Sequence, residues 1–182
     1  RRNTRKVFRE DGVEFEQCVD TAELPQYLDA LMDLHQIRWK AVGMDGAFKR
    51  RPLMAAFYRE FAPVALANDW LGLFAVKDGG EFKAVQFGYK YNGAFLQLQE
   101  GFDPDYLKGG AGNALRHKAI EVCIDDGLKE YDFLGGTSDH KRRWRAETRT
   151  GRDMLIFGDS WKAAVMKRAQ VWPTGRYAKW LD

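Results

Sequence analysis

The sequence predicts an α/β domain, α+β in the order of its elements, built on a mixed, mostly antiparallel sheet with helices on both faces. Three features predict it. Three strand-like segments in the middle of the chain are joined by two hairpin signals, two amphipathic helices precede them, and a helix followed by a short strand comes after. That last pair forms a crossover, so "FLQLQ" (95–99) and "YDFLG" (131–135) are expected to lie parallel and adjacent through a right-handed connection.

Each element follows from its pattern. "VEFEQCV" (13–19) alternates apolar and polar residues as a half-buried strand does. Asp20 or Thr21 offers an N-cap and Glu23 stands at the capping-box position; Leu24, Tyr27, Leu28, Leu31 and Leu34 or His35 then recur at helical spacing, toward an end near Gly43. After the turn-rich "GMDGAFKRRP" a second helix is expected from about Leu53 to Ala67. "WLGLFAV", "FKAVQFGYKY" and "AFLQLQEGF" read as strands, separated by "KDGGE" and "YNGA". A helix from about Gly112 to Asp126 carries Leu115, Ala119, Val122 and Cys123 on one stripe, with Gly127 and Leu128 as its stop. "YDFLGG" is a short strand, "DMLIFG" a later one, and the last helix spans about Ser160 to Val171.

The totals bound the function. At 182 residues the chain is read as one domain, 1–182, and 45% hydrophobic residues with six Trp suit a folded core. A net charge of +3 neither demands nor excludes an acidic ligand. Cys18 and Cys123 form no metal-type pair with His35, His117 or His140, so no metal is expected and both read as core thiols of a reducing compartment. No apolar run reaches membrane-span length and the arginine-rich opening lacks a signal-peptide core, so a cytoplasmic location is expected. The start at Arg1 rather than Met suggests a piece of something longer.

One stretch invites chemistry. In "KGGAGNAL" (108–115) the small residues Gly109, Gly110, Ala111 and Gly112 stand directly before a helix, where bare amides and the dipole end attract an anion. Alternatively, the glycines only turn the chain. The segment has neither the dinucleotide Gly-x-Gly-x-x-Gly nor the Gly-Lys-Ser/Thr of a nucleotide-triphosphate loop.

Three segments in order carry a resemblance. "LHQIRWKAVGMDGAF" (34–48) with "FYREFA" (57–62), "GFDPDYLKGGAGNAL" (101–115) and "YDFLGGTSDHKRRW" (131–144) are similar to the pattern of the CelD-like acetyltransferases, a branch of the GNAT superfamily. Gly110 and Ala111 replace a usual Ser-Pro, Ser138 a common Glu and His140 a common Tyr. The resemblance implies a GNAT-type sheet with a splay between its two central parallel strands. It also implies acetyl-CoA as co-substrate, with its pyrophosphate on the backbone of Lys108, Gly109, Gly110, Ala111, Gly112 and Asn113 and its pantetheine arm in the splay. A main-chain N–H from Gln99 to Gly101 would polarise the thioester carbonyl.

For a general base, the resemblance points first to Glu100 at the end of the third meander strand; His140 and His35 are the other candidates. The plainer roles are a strand-edge glutamate, an exposed histidine in a basic turn and a packed helix histidine. Because the first two helices roof the acceptor site in this superfamily, Arg38 and Trp39 are candidate acceptor contacts, a sugar ring stacking on the indole for instance; otherwise Trp39 is core and Arg38 an ion-pair partner. "KRRWRAETRTGR" (141–152) could meet a 3′-phosphate or an anionic polymer, and more often such a run is a solvated face, so nucleic acid is not the expected partner; within it Trp144 is expected to pack and Lys141 to pair with a carboxylate. "VWPTGRYAKW" (171–180) covers the core or docks elsewhere.

The leading function is an acyl-CoA-dependent N- or O-acetyltransferase acting on a small metabolite or cell-surface saccharide. The chain would then be the C-terminal half of a tandem pair, with an N-terminal GNAT-like domain as possible partner. The alternatives are an aminoacyl-tRNA-dependent transferase of the peptidoglycan-bridge type and a degenerate fold serving as a binding module. The acceptor, the acyl length and the oligomeric state are not written in the sequence.

Overall fold

A computed structural model describes residues 7–10, 12–136, 139–150 and 158–171. They fall into two compact units, one ending at Leu134 and one beginning at Gly135.

The first unit holds a five-stranded sheet in sequential order: β1 (Val13–Gln17), β2 (Leu71–Asp78), β3 (Glu81–Tyr91), β4 (Ala94–Phe102) and β5 (Glu130–Asp132). The first four strands pair antiparallel, and β4 with β5 is the one parallel pair. The expected crossover and mixed sheet are therefore present. Both hairpins turn through consecutive left-handed residues, Gly79 with Gly80 and Asn92 with Gly93, the conformation that matches strand twist. Leu71 to Val76 of β2 are buried without interruption, because β2 lies inside the sheet and is covered on both faces.

One face packs on α1 (Leu24–Lys40) and α3 (Pro52–Ala67), with the short α2 (Ala47–Arg50) between them. The α1 stripe Leu24, Tyr27, Leu28, Leu31, Leu34 and His35 is buried as its spacing predicts, and its apolar members form one cluster with Leu73, Val85 and Phe87 from the sheet. Asp20 does cap the chain entry, its carboxylate accepting from the Ala22 amide at 2.9 Å, but it caps a 3-10 turn (Thr21–Glu23) that runs into α1, and Glu23 makes no side-chain cap. The other face packs on α4 (Gly110–Asp125), where Ala111, Leu115, Ala119 and Cys123 meet Phe74, Val76, Ala84 and Phe95. At the end of α4 Gly127 is left-handed and the Leu128 amide bonds the Cys123 carbonyl at 2.9 Å, the expected stop.

Two differences from the sequence reading bear on function. α4 begins at Gly110, two residues earlier than expected. β5 (Glu130–Asp132) takes in only Tyr131 and Asp132 of "YDFLGG" because the Asp132 carboxylate accepts from the Leu134 amide at 2.6 Å and Leu134 turns left-handed (φ 58°), bending the chain out of the strand.

The second unit contains α5 (Asp139–Arg143) and α6 (Trp161–Val171). Ser160 Oγ accepts from the Ala163 amide at 3.1 Å, so the last helix starts where expected. "DMLIFG" up to Phe157, Ser138 and the stretch after Val171 lie outside the described residues. Among the described residues no helix is long and apolar enough to cross a membrane, and no three metal-binding side chains cluster.

Candidate active site

β4 and β5 part company. They pair only at Ala94, Phe95 and Leu96, opposite Glu130, Tyr131 and Asp132, while β4 stays bonded to β3 as far as Phe102. Among the described residues, therefore, no strand lies beside one edge of β4 from Gln97 to Phe102, and alternate main-chain groups point into a gap. The same stretch carries a bulge: Gln99 opposes Phe87 and Gln97 opposes Gly88, leaving Leu98 unmatched on β4. The extra residue twists the strand and shifts the direction of the amides that follow it.

Gly101 fixes what lies over the gap. A Cβ there would overlap the His35 amide nitrogen and stand 2.7 Å from the Leu31 carbonyl, so α1 rests directly on β4 backbone. This contact brings the α1 side chains His35, Arg38 and Trp39 to the end of β4.

Under the gap on the α4 side is a buried polar network. Glu100 and Arg116 are each 4% exposed, and Arg116 Nη2 lies 2.6 Å from both carboxylate oxygens. Gln97 Nε2 donates to Glu100 Oε2 at 3.3 Å, and the Tyr131 hydroxyl donates to Gln97 Oε1 at 3.1 Å, linking β5 to β4. Burial, with the Glu100 charge second, raises the Tyr131 hydroxyl well above the usual phenol range, so it is a donor at neutral pH. Arg38 reaches the same carboxylate from α1, its Nη1 3.9 Å from Oε1, with its guanidinium 4.7 Å above the Phe102 ring. Fully buried Gln86, the β3 partner of Glu100, lies beside the Tyr131 hydroxyl and adds a further amide to this polar cluster.

The three base candidates fare differently. Glu100 is central to the site, but Arg116 and Gln97 already occupy both of its oxygens, so it stands as an ion-pair anchor rather than a free strand-edge glutamate. His35 is 2% exposed and its Nε2 accepts from Trp39 Nε1 at 2.9 Å, which puts the ring proton on Nδ1 and leaves no lone pair for a substrate. Burial first, then the Arg38 and Arg50 charges, lower its pKa to about 4. His35 is thus the packed histidine of the plainer reading, and Trp39 is its partner. His140 lies in α5 of the second unit, and its side chain is outside the described residues.

The glycine segment is also rearranged. The left-handed residues are Leu107 (φ 47°) and Lys108 (φ 54°), not the glycines, and Gly110 is helical at φ −72°. Two consecutive non-glycine residues in this region store strain at the entry to α4. Gly112 is required by packing, because a Cβ there would come within 2.8 Å of the Phe102 ring, whereas at Gly110 it would meet only Val7 and Leu107 at ordinary distances. Asn113 Oδ1 accepts from Arg116 Nη1 at 3.3 Å, so its amide belongs to the buried network. Lys108 is exposed, Gln99 Nε2 faces Met54 Sδ at 4.0 Å, and Lys141 donates to the Gly135 and Gly136 carbonyls.

Sequence reasoning missed Arg116, Gln97 and Tyr131. Arg116 carried a signal, since it sits with Gly112, Ala119 and Cys123 at helical spacing on the buried stripe of α4, where a charge must find a partner across the interface.

The comparisons agree with this geometry. The acetyltransferase (GNAT) domain family matches residues 1–142. The fold is similar to a predicted acetyltransferase with acetyl-CoA from Clostridium acetobutylicum (TM-score 0.58, 7% identity, 79% of this chain and 96% of that one). It is also similar to a GCN5-related N-acetyltransferase from Ralstonia eutropha (0.57, 16% identity, 80% and 99%). A third neighbour is an aminoglycoside acetyltransferase from an uncultured soil metagenomic sample in complex with sisomicin (0.56, 12% identity, 82% and 99%). No curated protein matches in sequence. With a family match over residues 1–142, a mixed sheet that opens between its parallel strands and a helix entering beside the opening, the chain belongs to the acetyltransferase (GNAT) domain family.

Proposed function

We propose that the whole chain, 1–182, acts as one acyl-CoA-dependent N- or O-acetyltransferase domain of the CelD-like branch. It transfers acetyl from acetyl-CoA to a small metabolite or a saccharide by direct attack on the thioester. The observation that carries this reading is the parting of β4 and β5 after Leu96, next to the Leu98 bulge. Acetyl-CoA supplies an activated acyl group. The chain offers a free strand edge to hydrogen-bond the pantetheine amides and, between Gln99 and Gly101, an N–H to polarise the carbonyl. Holding acceptor and thioester together in the gap does much of the rest.

Glu100 is bonded by Arg116 and Gln97, and His35 accepts from Trp39, so either would act as base only by loosening a partner within the protein. An acceptor that arrives as the free amine needs no base at all. The same observation favours a second reading, a domain that binds acetyl-CoA without turning it over. A cytoplasmic setting and a tandem N-terminal partner complete the proposal.

Thermal denaturation with acetyl-CoA, CoA and desulfo-CoA tests it. A ligand that binds only the native state raises Tm with concentration, and all three should do so. Absence of any shift at millimolar ligand sinks the proposal. Release of free thiol with an acceptor separates the enzyme from the binder.

A further inference from the structure

Charge is unbalanced at the mouth of the gap. Two guanidiniums, those of Arg38 and Arg116, share one carboxylate, that of Glu100. The sharing is unequal, since Arg116 holds Glu100 at 2.6 Å through both oxygens and Arg38 is left at 3.9 Å from one. His35 is neutral at physiological pH, Gln97 and Tyr131 are uncharged, and the carboxylate that acts on Arg38 is Glu100, with the Arg116 charge opposing it. Arg50 adds further positive charge on the His35 side.

Arg38 is also held ready. Its guanidinium carbon lies 4.7 Å from the centre of the Phe102 ring, while a third of its side chain remains open to solvent. A guanidinium held against an aromatic ring still has N–H groups to offer, and these match a carboxylate or phosphate two at a time. Its neighbours Glu100 and Phe102 both belong to the unpaired half of β4.

We infer that Arg38 is the anion-binding group of the acceptor subsite: standing at the free edge of β4 with its carboxylate neighbour committed to Arg116, it takes a carboxylate or phosphate carried by the acceptor. The acceptor is therefore an anionic amine or alcohol, such as an amino acid or a phosphorylated amine, rather than a neutral or polycationic sugar. This inference rests on the acetyltransferase reading, because the gap is an acceptor site only if a thioester enters it.

Two measurements on the full chain test it. First, the parent, Arg38→Met and Arg38→Lys are titrated with sodium acetate and with inorganic phosphate at fixed ionic strength, following Tm. The parent should be stabilised by at least one anion, Arg38→Lys less, and Arg38→Met no more than by chloride; equal responses in parent and Arg38→Met overturn the inference. Second, thiol release from acetyl-CoA is measured with amino acids, their carboxamides and phosphoethanolamine. The acids or the phosphorylated amine should exceed the carboxamides by about 10- to 100-fold in kcat/KM, the size of a charge-assisted bond, with Arg38→Met removing the preference through KM. Preference for carboxamides overturns the inference, and the acids against phosphoethanolamine decide between the two anion types. If nothing is turned over, the anion titration decides alone. Loss of acetyl-CoA binding in the parent would instead sink the acetyltransferase reading while leaving that titration to be read by itself.

Discussion

Arg116, on the helix that enters beside the gap, clamps both oxygens of Glu100, on the half of β4 that β5 has left. The pair ties α4 to a strand segment that β5 does not pair with. Removing one member of a buried pair strands the other, which costs about 3–5 kcal/mol, whereas removing both costs less. Arg116→Met should therefore destabilise the domain by about 3 kcal/mol or more, and Glu100→Gln/Arg116→Met should fall well short of the sum of the single changes. Urea denaturation of the four proteins closes the cycle; additivity would show that the two charges do not depend on each other.

His35 makes stability depend on pH. In the unfolded chain an imidazole titrates near 6.5, and in the fold its pKa is lowered to about 4, chiefly by burial. The native state thus resists protonation: the contribution is complete above about pH 6.5 and is lost as pH falls toward 4, amounting to ~3 kcal/mol in all. The parent should lose stability between pH 6.5 and 4.5, and His35→Gln should show a flatter profile over that interval. Parallel profiles would mean that another group carries the acid sensitivity.

The strands, the two main cores and the crossover were legible because their signals are local: alternation in 13–17, an unbroken apolar run in 71–76, and Asn92 with Gly93 at a turn. The site was less so. That Glu100 faces Arg116 is a relation across 16 positions, set by how α4 lies on β4, and no window along the chain contains it. The bulge at Leu98 likewise depends on β3, because only pairing defines an unmatched residue. The glycine segment carries two signals at once. Gly112 makes room for Phe102, and an apolar ring against a helix requires the same absent side chain that a phosphate would.

That reading separates two neighbouring glycines. Gly112→Ala places a methyl group against the Phe102 ring and should cost about 1–3 kcal/mol, as overpacking does. Gly110→Ala adds a methyl group in helical backbone, where it meets Val7 and Leu107 at ordinary contact distances, and should be neutral or stabilise by up to about 1 kcal/mol. Phe102→Leu should recover part of the Gly112→Ala loss. If both alanines were equally tolerated, the close approach of α4 to β4 would be wrong.

Lys108 offers a measure of the strain stored before α4. Its backbone sits at φ 54°, ψ 41°, where an L side chain crowds its own carbonyl and glycine does not. Lys108→Ala keeps the Cβ and the crowding while removing the charge. Lys108→Gly removes both and pays some unfolded-chain entropy. In this region glycine should be the more stable of the two variants by about 1 kcal/mol, the reverse of their order in a helix interior. Urea midpoints at equal m-values give the difference directly, and a more stable alanine would mean that Lys108 is not held left-handed in solution.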